Sequence, residues 1–333
     1  GDWSSDVCSS DLVKRFNIPP LKMSDGPIGV RNEFLDDSWI PIGNSDDYVT
    51  YLPCSLALAS TWNTELAYKS GQVLGSEARG RGKDVILGPG INIIRSPLCG
   101  RNFEYMSEDP YVSGKMAVPF IKGVQENDVA VCVKHFAVNN QETERLNVEA
   151  ILDERTFREI YLPAFEMAVK EGNAYSIMCA YNKIFGYHCS NNRALLTELL
   201  KEEWEFDGIV ISDWSAVNNT ELAVNAGMDI EMSVTTNFDE YFFANPLIKA
   251  VKEGKIKEEV LDECVDRLLD LIFTTNNAID NADVKLDKDN HHKMAQKVAE
   301  ESIVLLKNEG NILPIGKGKK VAVIGDFAKE ARY

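Results

Sequence analysis

One short apolar run of this sequence ends in a carboxylate and an indole, the kind of groups that can do chemistry. Residues 208–211 (GIVI) favour a strand that is buried on both faces, and Asp213 and Trp214 follow almost at once. In parallel α/β proteins the carboxyl ends of strands carry the chemistry, because the loops that follow can shape a pocket there. Asp213 is therefore a candidate for a functional role. It could equally cap the next helix, whose pattern begins near Val217.

Charged, amide and aromatic side chains stand at the ends of other predicted strands in the same way. A closed barrel would bring all of these strand ends to one pocket. Such groups bind sugar hydroxyls and cover the apolar face of a pyranose ring. For any one residue a surface ion pair or a helix cap is the simpler interpretation, but their shared position argues against that for the set. In chain order they are Asp25, Arg101 with Glu104, Glu108 and Asp109, Lys134 with His135, Tyr181 with Asn182, Asp213 with Trp214, and Glu231.

The elements that position these residues alternate between strand and helix. This alternation, and the number of elements, suit a closed barrel better than an open sheet. The predicted fold class is α/β, with a (β/α)8 TIM-like barrel over residues 13–276. The clearest helix covers residues 153–172, with Asp153 able to cap its start and Gly172 its end.

The remaining segments differ from the barrel in composition. Residues 1–12 are rich in Ser and Asp and are interpreted as an adapter or vector segment. Residues 277–290 are polar and predict a linker. Residues 291–333 contain a predicted helix over 291–307 and a predicted strand over 321–326. Because one helix and one strand cannot bury their apolar faces alone, they predict the start of a truncated second α/β sandwich domain.

Composition limits the classes of partner. With 35 Lys and Arg against 52 Asp and Glu, the net charge of −17 argues against nucleic acid or an anionic membrane surface as partner. Seven cysteines without a CxxC pair argue against a metal cluster or a disulfide framework. No apolar run is long enough to span a membrane. No signal peptide is visible; a cytoplasmic location is favoured, although the native N-terminus is not seen.

Several motifs resemble those of glycoside hydrolase family 3. They follow the family's order from Val13 to about Asp326. They are Ser24–Pro27 (SDGP), Gly100–Glu104 (GRNFE), Ser107–Pro110 (SEDP), Lys134–Phe136 (KHF), Met178–Asn182 (MCAYN), Gly208–Trp214 (GIVISDW), and Glu301–Asn308 (ESIVLLKN) with Leu313–Pro314.

The resemblance implies a role for each matching residue. Asp213 would be the nucleophile that attacks the anomeric carbon. Nearby cations and a tyrosine hydroxyl would keep its carboxylate ionised at neutral pH, as a nucleophile requires. Other residues would bind hydroxyls in the subsite before the cleaved bond, lie against the nucleophile or line the pocket. These substrate-binding residues would be Asp25, Arg101, Lys134, His135, Tyr181 and Trp214.

Other polar residues have simpler interpretations. His135 could be a core histidine, and His188, His291 and His292 are interpreted as solvated or capping side chains. Glu231 resembles the family's Glu-Met-Pro strand end, but Ser233 replaces the Pro, so it is given no role. The acidic residues that follow Arg101 are expected to brace their loop rather than touch substrate; they are Glu104, Glu108 and Asp109.

The loop after the KHF motif separates two branches of the family. In the N-acetylglucosaminidase branch this loop carries an acid/base Asp-His pair, whereas Ala137–Arg145 contains no His. The resemblance therefore implies the β-glucosidase branch, whose acid/base Glu lies in the second domain. It also implies an internal fragment, truncated at both ends, that lacks this Glu.

The implied activity is retaining hydrolysis of terminal β-D-glucosyl residues, without a metal or organic cofactor. A β-glucoside or oligosaccharide would be the substrate, and the missing C-terminal domain of the same chain would be the partner. Two alternatives stay open. The chain could be a β-xylosidase or α-L-arabinofuranosidase of the same family, or a sugar-binding barrel without turnover because the fragment lacks its proton donor.

Overall fold

The computed structural model describes Phe16 and residues 18–31, 49–234, 237–276 and 286–330. The segment 1–12 lies outside these residues. So does most of the predicted linker. In chain order the strands are β1 (Met23–Asp25), β2 (Val85–Leu87), β3 (Ala130–Phe136), β4 (Glu149–Ala150), β5 (Ser176–Cys179), β6 (Lys183–Ile184), β7 (Tyr187–His188) and β8 (Ile209–Ser212).

Helices connect and cover these strands. The α-helices are α1 (Ser55–Ser60), α2 (Thr64–Gly80), α3 (Pro110–Gln125), α4 (Glu154–Thr156), α5 (Pro163–Lys170), α6 (Thr220–Ala226), α7 (Asn245–Lys252), α8 (Glu258–Asn276) and α9 (Lys288–Glu301). Wider π-type turns cover Phe157–Tyr161 and Ala194–Glu203, and 3-10 turns cover Asn102–Glu104, Cys189–Asn191, Phe238–Glu240, Glu309–Asn311 and Asp326–Ala328.

Five of the strands form one parallel sheet in the order β1-β2-β3-β5-β8. Beyond β8, Ile230 adds a single parallel bridge to Ile211. Since all five strands run the same way, their carboxyl ends lie along one edge of the sheet. Asp25, Phe136 and Ser212 are the last residues of β1, β3 and β8.

Alternate residues of each strand face two different cores. Ile86 of β2 packs in the core formed with α2, α3 and α5, whereas its neighbours Val85 and Leu87 pack on the opposite face. There Leu271 and Ile272 of α8 cover the sheet. This double burial explains why the strands read as continuous apolar runs.

The helices α2 and α3 meet backbone to backbone. A side chain at Gly71 would overlap the carbonyl oxygen of Phe120, and one at Gly123 would overlap that of Tyr68. Only glycine allows so close an approach at these two positions. The two helices therefore form one tightly packed layer over the sheet.

One of the two helix ends predicted from local signals is confirmed. Asp153 accepts a hydrogen bond from the N–H of Thr156 and so caps α4. The predicted single helix over 153–172 is interrupted, however, because Pro163 starts a new segment. Its predicted end at Gly172 is wrong: Asn173, with φ of 51°, takes the left-handed conformation.

A closed (β/α)8 barrel was predicted, whereas five of the strands in the described ranges form one parallel sheet. Within these ranges the sheet order runs from β1 to β8, and residues 228–232 contribute only the bridge at Ile230. The predicted strand at 321–326 is not formed: residues 321–324 are exposed and unpaired as strand, because a parallel strand needs neighbours to hydrogen-bond. The helix before them is present as α9.

Candidate active site

Asp213 lies directly after β8 and is 4% exposed. Its Oδ1 accepts a hydrogen bond of 2.7 Å from the N–H of Trp214. The alternative that Asp213 caps the following helix is wrong. Asn219 caps α6 instead, by accepting a hydrogen bond from the N–H of Leu222.

The second carboxylate oxygen of Asp213, Oδ2, is buried and has no donor at normal hydrogen-bond geometry among the described residues, although the Tyr181 hydroxyl approaches the carboxylate. Oδ2 lies 3.7 Å from Nε2 of His135. The Tyr181 hydroxyl and the charges of Lys134 and Arg101 are close enough to favour the ionised form. A buried acceptor without a donor is costly, so this oxygen points to a role in binding or chemistry.

The pKa of Asp213 is raised above its usual value of 3.8, because burial outweighs the groups that favour the carboxylate. The N–H of Trp214 and then Lys134, Arg101 and Tyr181 act in the opposite direction. The sequence predicted that these cations and the hydroxyl would govern the ionisation of Asp213. They act in the expected direction, but desolvation is the larger effect.

Arg101 and Lys134 share a buried carboxylate. Glu104 accepts a hydrogen bond from Nε of Arg101, and its other oxygen lies 3.6 Å from Nζ of Lys134. Burial alone would lower the pKa of Arg101, but Glu104 raises it, so the guanidinium stays charged. Glu104 braces both cations, in keeping with the bracing role predicted for it.

His135 is fixed on both its backbone and its ring. Its N–H donates to Oδ1 of Asn92 at 2.7 Å, and its carbonyl accepts from Nδ2 of Asn92 at 2.9 Å. Its Nδ1 lies 3.2 Å from the hydroxyl of Tyr105. Burial, followed by the charges of Arg101 and Lys134, lowers its pKa well below 6.5. His135 is thus a buried neutral imidazole, and it also faces the carboxylate of Asp213.

Arg145 is a member of the site that sequence reasoning missed. Its guanidinium lies 4.7 Å from the ring centroid of Tyr181, and it pairs with Glu142 at 2.9 Å. Burial and the nearby Asp213 raise the pKa of Tyr181, whose hydroxyl therefore stays protonated. The sequence offered a signal, because Arg145 is a cation at the end of the loop Ala137–Arg145, which follows the KHF motif.

Two predicted site residues lie less centrally. Asp25 ends β1 and pairs with Arg31 at 2.7 Å, rather than with the cluster around Asp213. Trp214 is half-buried and packs against the core that contains α8. The structure thus brings Arg101, Lys134, His135 and Tyr181 together with Asp213. It gives Asp25 a separate ion pair at the same edge of the sheet.

Two histidines have partners that the sequence did not predict. His291 lies 2.7 Å from Glu77, and His188 lies 3.2 Å from the carbonyl oxygen of Tyr181. The interpretation of His291 as a solvated or capping side chain is wrong, since Nδ1 contacts a buried carboxylate. His292 is exposed, as expected.

A cavity of about 860 Å³ lies beside the cluster. It is lined by Gly100 and Asn182, which precede Arg101 and follow Tyr181, and by Asn139, which donates to the Tyr105 hydroxyl. Its volume is typical of small-molecule sites, but Asp213 is not among its lining residues. The candidate site is therefore defined by its charged groups rather than by this cavity.

The described ranges hold neither a metal-binding cluster nor a membrane-spanning helix. There, no group of three or more His, Cys, Asp or Glu side chains is arranged to hold a metal ion. None of the helices in those ranges combines the length and apolar character needed to cross a bilayer. The expectation of a cofactor-free reaction stays a prediction.

Comparison with known proteins identifies the family. The family model described as the glycosyl hydrolase family 3 N terminal domain matches residues 36–271. The chain belongs to glycoside hydrolase family 3. It is 48% identical over 322 residues to thermostable beta-glucosidase B of Acetivibrio thermocellus, covering 96% of this chain and 42% of that protein. It is 41% identical to an exo-alpha-(1->6)-L-arabinopyranosidase of Bifidobacterium longum, covering 96% of this chain and 43% of that protein.

The fold comparison agrees with the family. The crystal structure of a family 3 β-glucosidase from Bifidobacterium adolescentis matches with a TM-score of 0.89 and 41% identity, covering 98% of this chain and 46% of that one. The chain spans less than half the length of the curated relatives it matches.

Proposed function

We propose that this family 3 chain supplies the glucosyl-binding pocket and the nucleophile of a retaining β-glucosidase. The observation that carries the proposal is Oδ2 of Asp213, which has no donor at normal hydrogen-bond geometry among the described residues and is buried beside His135, near the charges of Lys134 and Arg101. The names of the β-glucosidases it resembles support glucose as the bound sugar.

In this mechanism Asp213 attacks the anomeric carbon and forms a covalent glycosyl intermediate. Arg101 and Lys134, held by Glu104, would donate charge-assisted hydrogen bonds to ring hydroxyls. The neutral imidazole of His135 would form a hydrogen bond with a sugar hydroxyl. The protonated Tyr181 hydroxyl would donate a hydrogen bond to the carboxylate of Asp213. Asp25 would bind a further hydroxyl, and Trp214 would cover the ring face. The predicted (β/α)8 barrel, followed by the start of a second domain, is part of this proposal and is supported by the five parallel strands.

A retaining glycosidase needs a second carboxyl group about 5 Å from the nucleophile. Two carboxylates joined to this cluster are already paired, Glu104 with Arg101 and Lys134, and Glu142 with Arg145. We therefore assign the acid/base to a second domain of the same protein. On its own, this chain should hydrolyse cellobiose negligibly, since an alkoxide leaving group needs a proton.

An aryl β-glucoside with an acidic phenol tests the nucleophile without the acid/base, because its leaving group needs no proton. The chain should release the phenol slowly and carry one glucosyl group, visible by intact-protein mass spectrometry. Azide attacks without a general base and should release β-glucosyl azide. Asp213→Asn should abolish the labelling, since an amide is a far poorer nucleophile.

The same assay separates the alternatives. Labelling of Asp213 by the aryl α-L-arabinopyranoside or β-xyloside in preference to the glucoside would make the chain a pentosidase domain, and the arabinopyranosidase relative motivates this comparison. Glucose binding by calorimetry without any labelling would support a sugar-binding barrel without turnover. Efficient cellobiose hydrolysis by this chain would contradict our assignment of the acid/base to another domain.

A further inference from the structure

Glu77 of α2 is a buried carboxylate that connects two separate segments. It is 1% exposed, although it is a charged residue in the last turn of the helix. Its Oε2 accepts a hydrogen bond of 2.7 Å from the N–H of Thr50, and its Oε1 accepts one of 2.6 Å from the Thr50 hydroxyl. Oε1 also lies 2.7 Å from Nδ1 of His291 in α9. Because an ionised carboxylate only accepts, Nδ1 carries the proton in this contact.

The first of these segments contains Thr50 and contacts the turn of residues 25–31, which carries Asp25. Leu52 lies two residues after Thr50, and its N–H donates a hydrogen bond of 2.8 Å to the carbonyl of Ile28. A side chain at Gly29 would come within 2.9 Å of the carbonyl oxygen of Thr50, so the two backbones are in direct contact.

That turn is closed by its own bonds. The N–H of Arg31 donates to the carbonyl of Asp25 at 3.1 Å, and the side chains of the two residues pair at 2.7 Å. Glu77 thus fixes the backbone at Thr50, which in turn supports the turn at Ile28 and Gly29.

The second segment is α9, which is docked on α1 and α2. Val298 is 1% exposed in the main core, and Asn63 donates to Glu301 at 3.0 Å. His291 is the residue of α9 that contacts Glu77. This helix opens the segment 291–333, which was predicted to begin the second domain, so its docking is well placed to connect that segment with the site.

Electrostatics favours this arrangement of Glu77. Burial opposes the carboxylate, but the hydrogen bonds from His291 and Thr50 outweigh it, and the pKa of Glu77 is lowered below 4.5. The anion is therefore held by donors from both segments at once. If Glu77 loses the donor from one segment, its hydrogen bonds to the other segment should weaken, because a buried carboxylate depends on all its partners.

We propose that Glu77 is a positioning residue that makes the geometry of the Asp25 turn depend on the docking of α9. The contacts run from His291 through Glu77 and Thr50 to Ile28 and Gly29. Its effect on sugar binding rests on the proposed function, in which Asp25 binds a hydroxyl of the glucosyl unit.

Hydrogen exchange of backbone amides tests the coupling without any activity. His291→Ala should reduce the protection of the Thr50, Leu52 and Arg31 amides by roughly ten- to a hundredfold, because it removes a charge-assisted bond from their support. The matched control is His292→Ala, which changes the exposed neighbour on the same helix and should leave these amides unchanged.

A conservative variant separates positioning from a loss of folding. In His291→Asn the amide nitrogen takes nearly the place of Nδ1, so it should restore most of the protection. The variant with Ala should also weaken glucose binding, measured by calorimetry, by about three- to tenfold if one of several hydroxyl contacts is misplaced.

The outcomes are distinct. Unchanged exchange at all three amides in His291→Ala, or an equal loss in His292→Ala, would overturn the proposal. Loss of protection in His291→Ala together with restoration in His291→Asn would support it. If the chain does not bind glucose at all, the proposed function fails, and the exchange data still decide whether Glu77 couples α9 to the turn.

Discussion

Two buried aspartates next to β8, Asp213 and Asp229, differ in how completely their carboxylates are hydrogen-bonded. Asp229 accepts hydrogen bonds from Lys201 at 2.9 and 3.0 Å, from Arg267 at 3.3 Å and from the N–H of Val210 at 2.8 Å. Asp213, at the carboxyl end of the same strand, keeps one oxygen without a donor at normal hydrogen-bond geometry among the described residues. Both carboxylates are almost completely buried, but only Asp229 is fully satisfied.

The difference separates support from chemistry. A fully paired buried charge contributes to a fixed structure, and its partners have no capacity left for a ligand. A carboxylate that is desolvated yet incompletely paired is held ready for a bond that the substrate supplies. The comparison therefore predicts that the two aspartates respond oppositely to the same substitution.

The largest effect is expected for Asp229→Asn. It should lower the free energy of unfolding by about 3–5 kcal/mol, because it leaves the buried Lys201 without its anion, while Arg267 retains Glu263. Urea unfolding measures this loss, and Asp207→Asn at an exposed position before the same strand is the matched control. Labelling of Asp213 by the aryl glucoside should be unchanged well below the unfolding transition. A loss under about 1 kcal/mol would remove Asp229 from the supporting group.

Next in size are the two cations beside the nucleophile. Arg101→Ala and Lys134→Ala should each lower kcat/KM for aryl glucoside cleavage by about ten- to a hundredfold, since each removes a charge-assisted bond worth roughly 1.5–3 kcal/mol. Lys115→Ala, in a surface ion pair with Glu171, is the control. Unfolding must be measured alongside, because Glu104 loses a partner in both variants. A change within about twofold would return either residue to a purely structural role.

A smaller, pH-dependent effect is expected at Glu231. Burial raises the pKa of Glu231 from 4.5 to about 7, although it accepts a hydrogen bond from the N–H of Phe243. The folded protein therefore retains a proton that the unfolded chain releases, so stability falls as pH rises from 4.5 to about 7.

Glu231→Gln should remove this slope. Its stability relative to the parent should rise across that pH window and then level off, as measured by urea unfolding at several pH values. Glu240→Gln, at an exposed position, should show no such trend. A pH-independent difference for Glu231→Gln would show that its carboxyl titrates normally in the fold.

The smallest effect closes the comparison. Asp213→Asn should leave the free energy of unfolding within about 1 kcal/mol of the parent, or raise it, since the amide avoids the desolvation of a charge. Thermal unfolding of the two asparagine variants side by side measures the contrast. Equal destabilisation by Asp213→Asn and Asp229→Asn would show that both aspartates are structural.

The sequence predicted that several of the site residues would come together, because they lie within strands or directly after them. Lys134 and His135 within β3 and Asp213 after β8 need only correct strand positions and parallel pairing to come together. Tyr181, just beyond β5, follows the same rule. These positions depend on local apolar runs, which are the strongest signal a sequence offers.

Residues whose roles depend on long-range contacts were missed. Arg145 meets Tyr181 through a loop whose path no periodicity encodes, and His291 meets Glu77 across more than two hundred positions of the chain. The prediction of a strand at 321–326 was wrong for a related reason, since strand propensity acts only when neighbouring strands are present. Asp25 was placed at the correct end of β1, but its pairing with Arg31 was not foreseen.

The glycine contacts between α2 and α3 have a mechanical consequence. Where Gly71 and Gly123 meet the opposite backbone, there is no side chain between the helices that could compress or rotate. The pair is therefore stiff, because close-packed interiors yield little to load. One helix carries Glu77 toward the Asp25 turn, and the other leads into β3 with Lys134 and His135. The Asp25 turn and the segment with Lys134 and His135 are thus both connected to one stiff helix pair, so a displacement of one should be transmitted to the other.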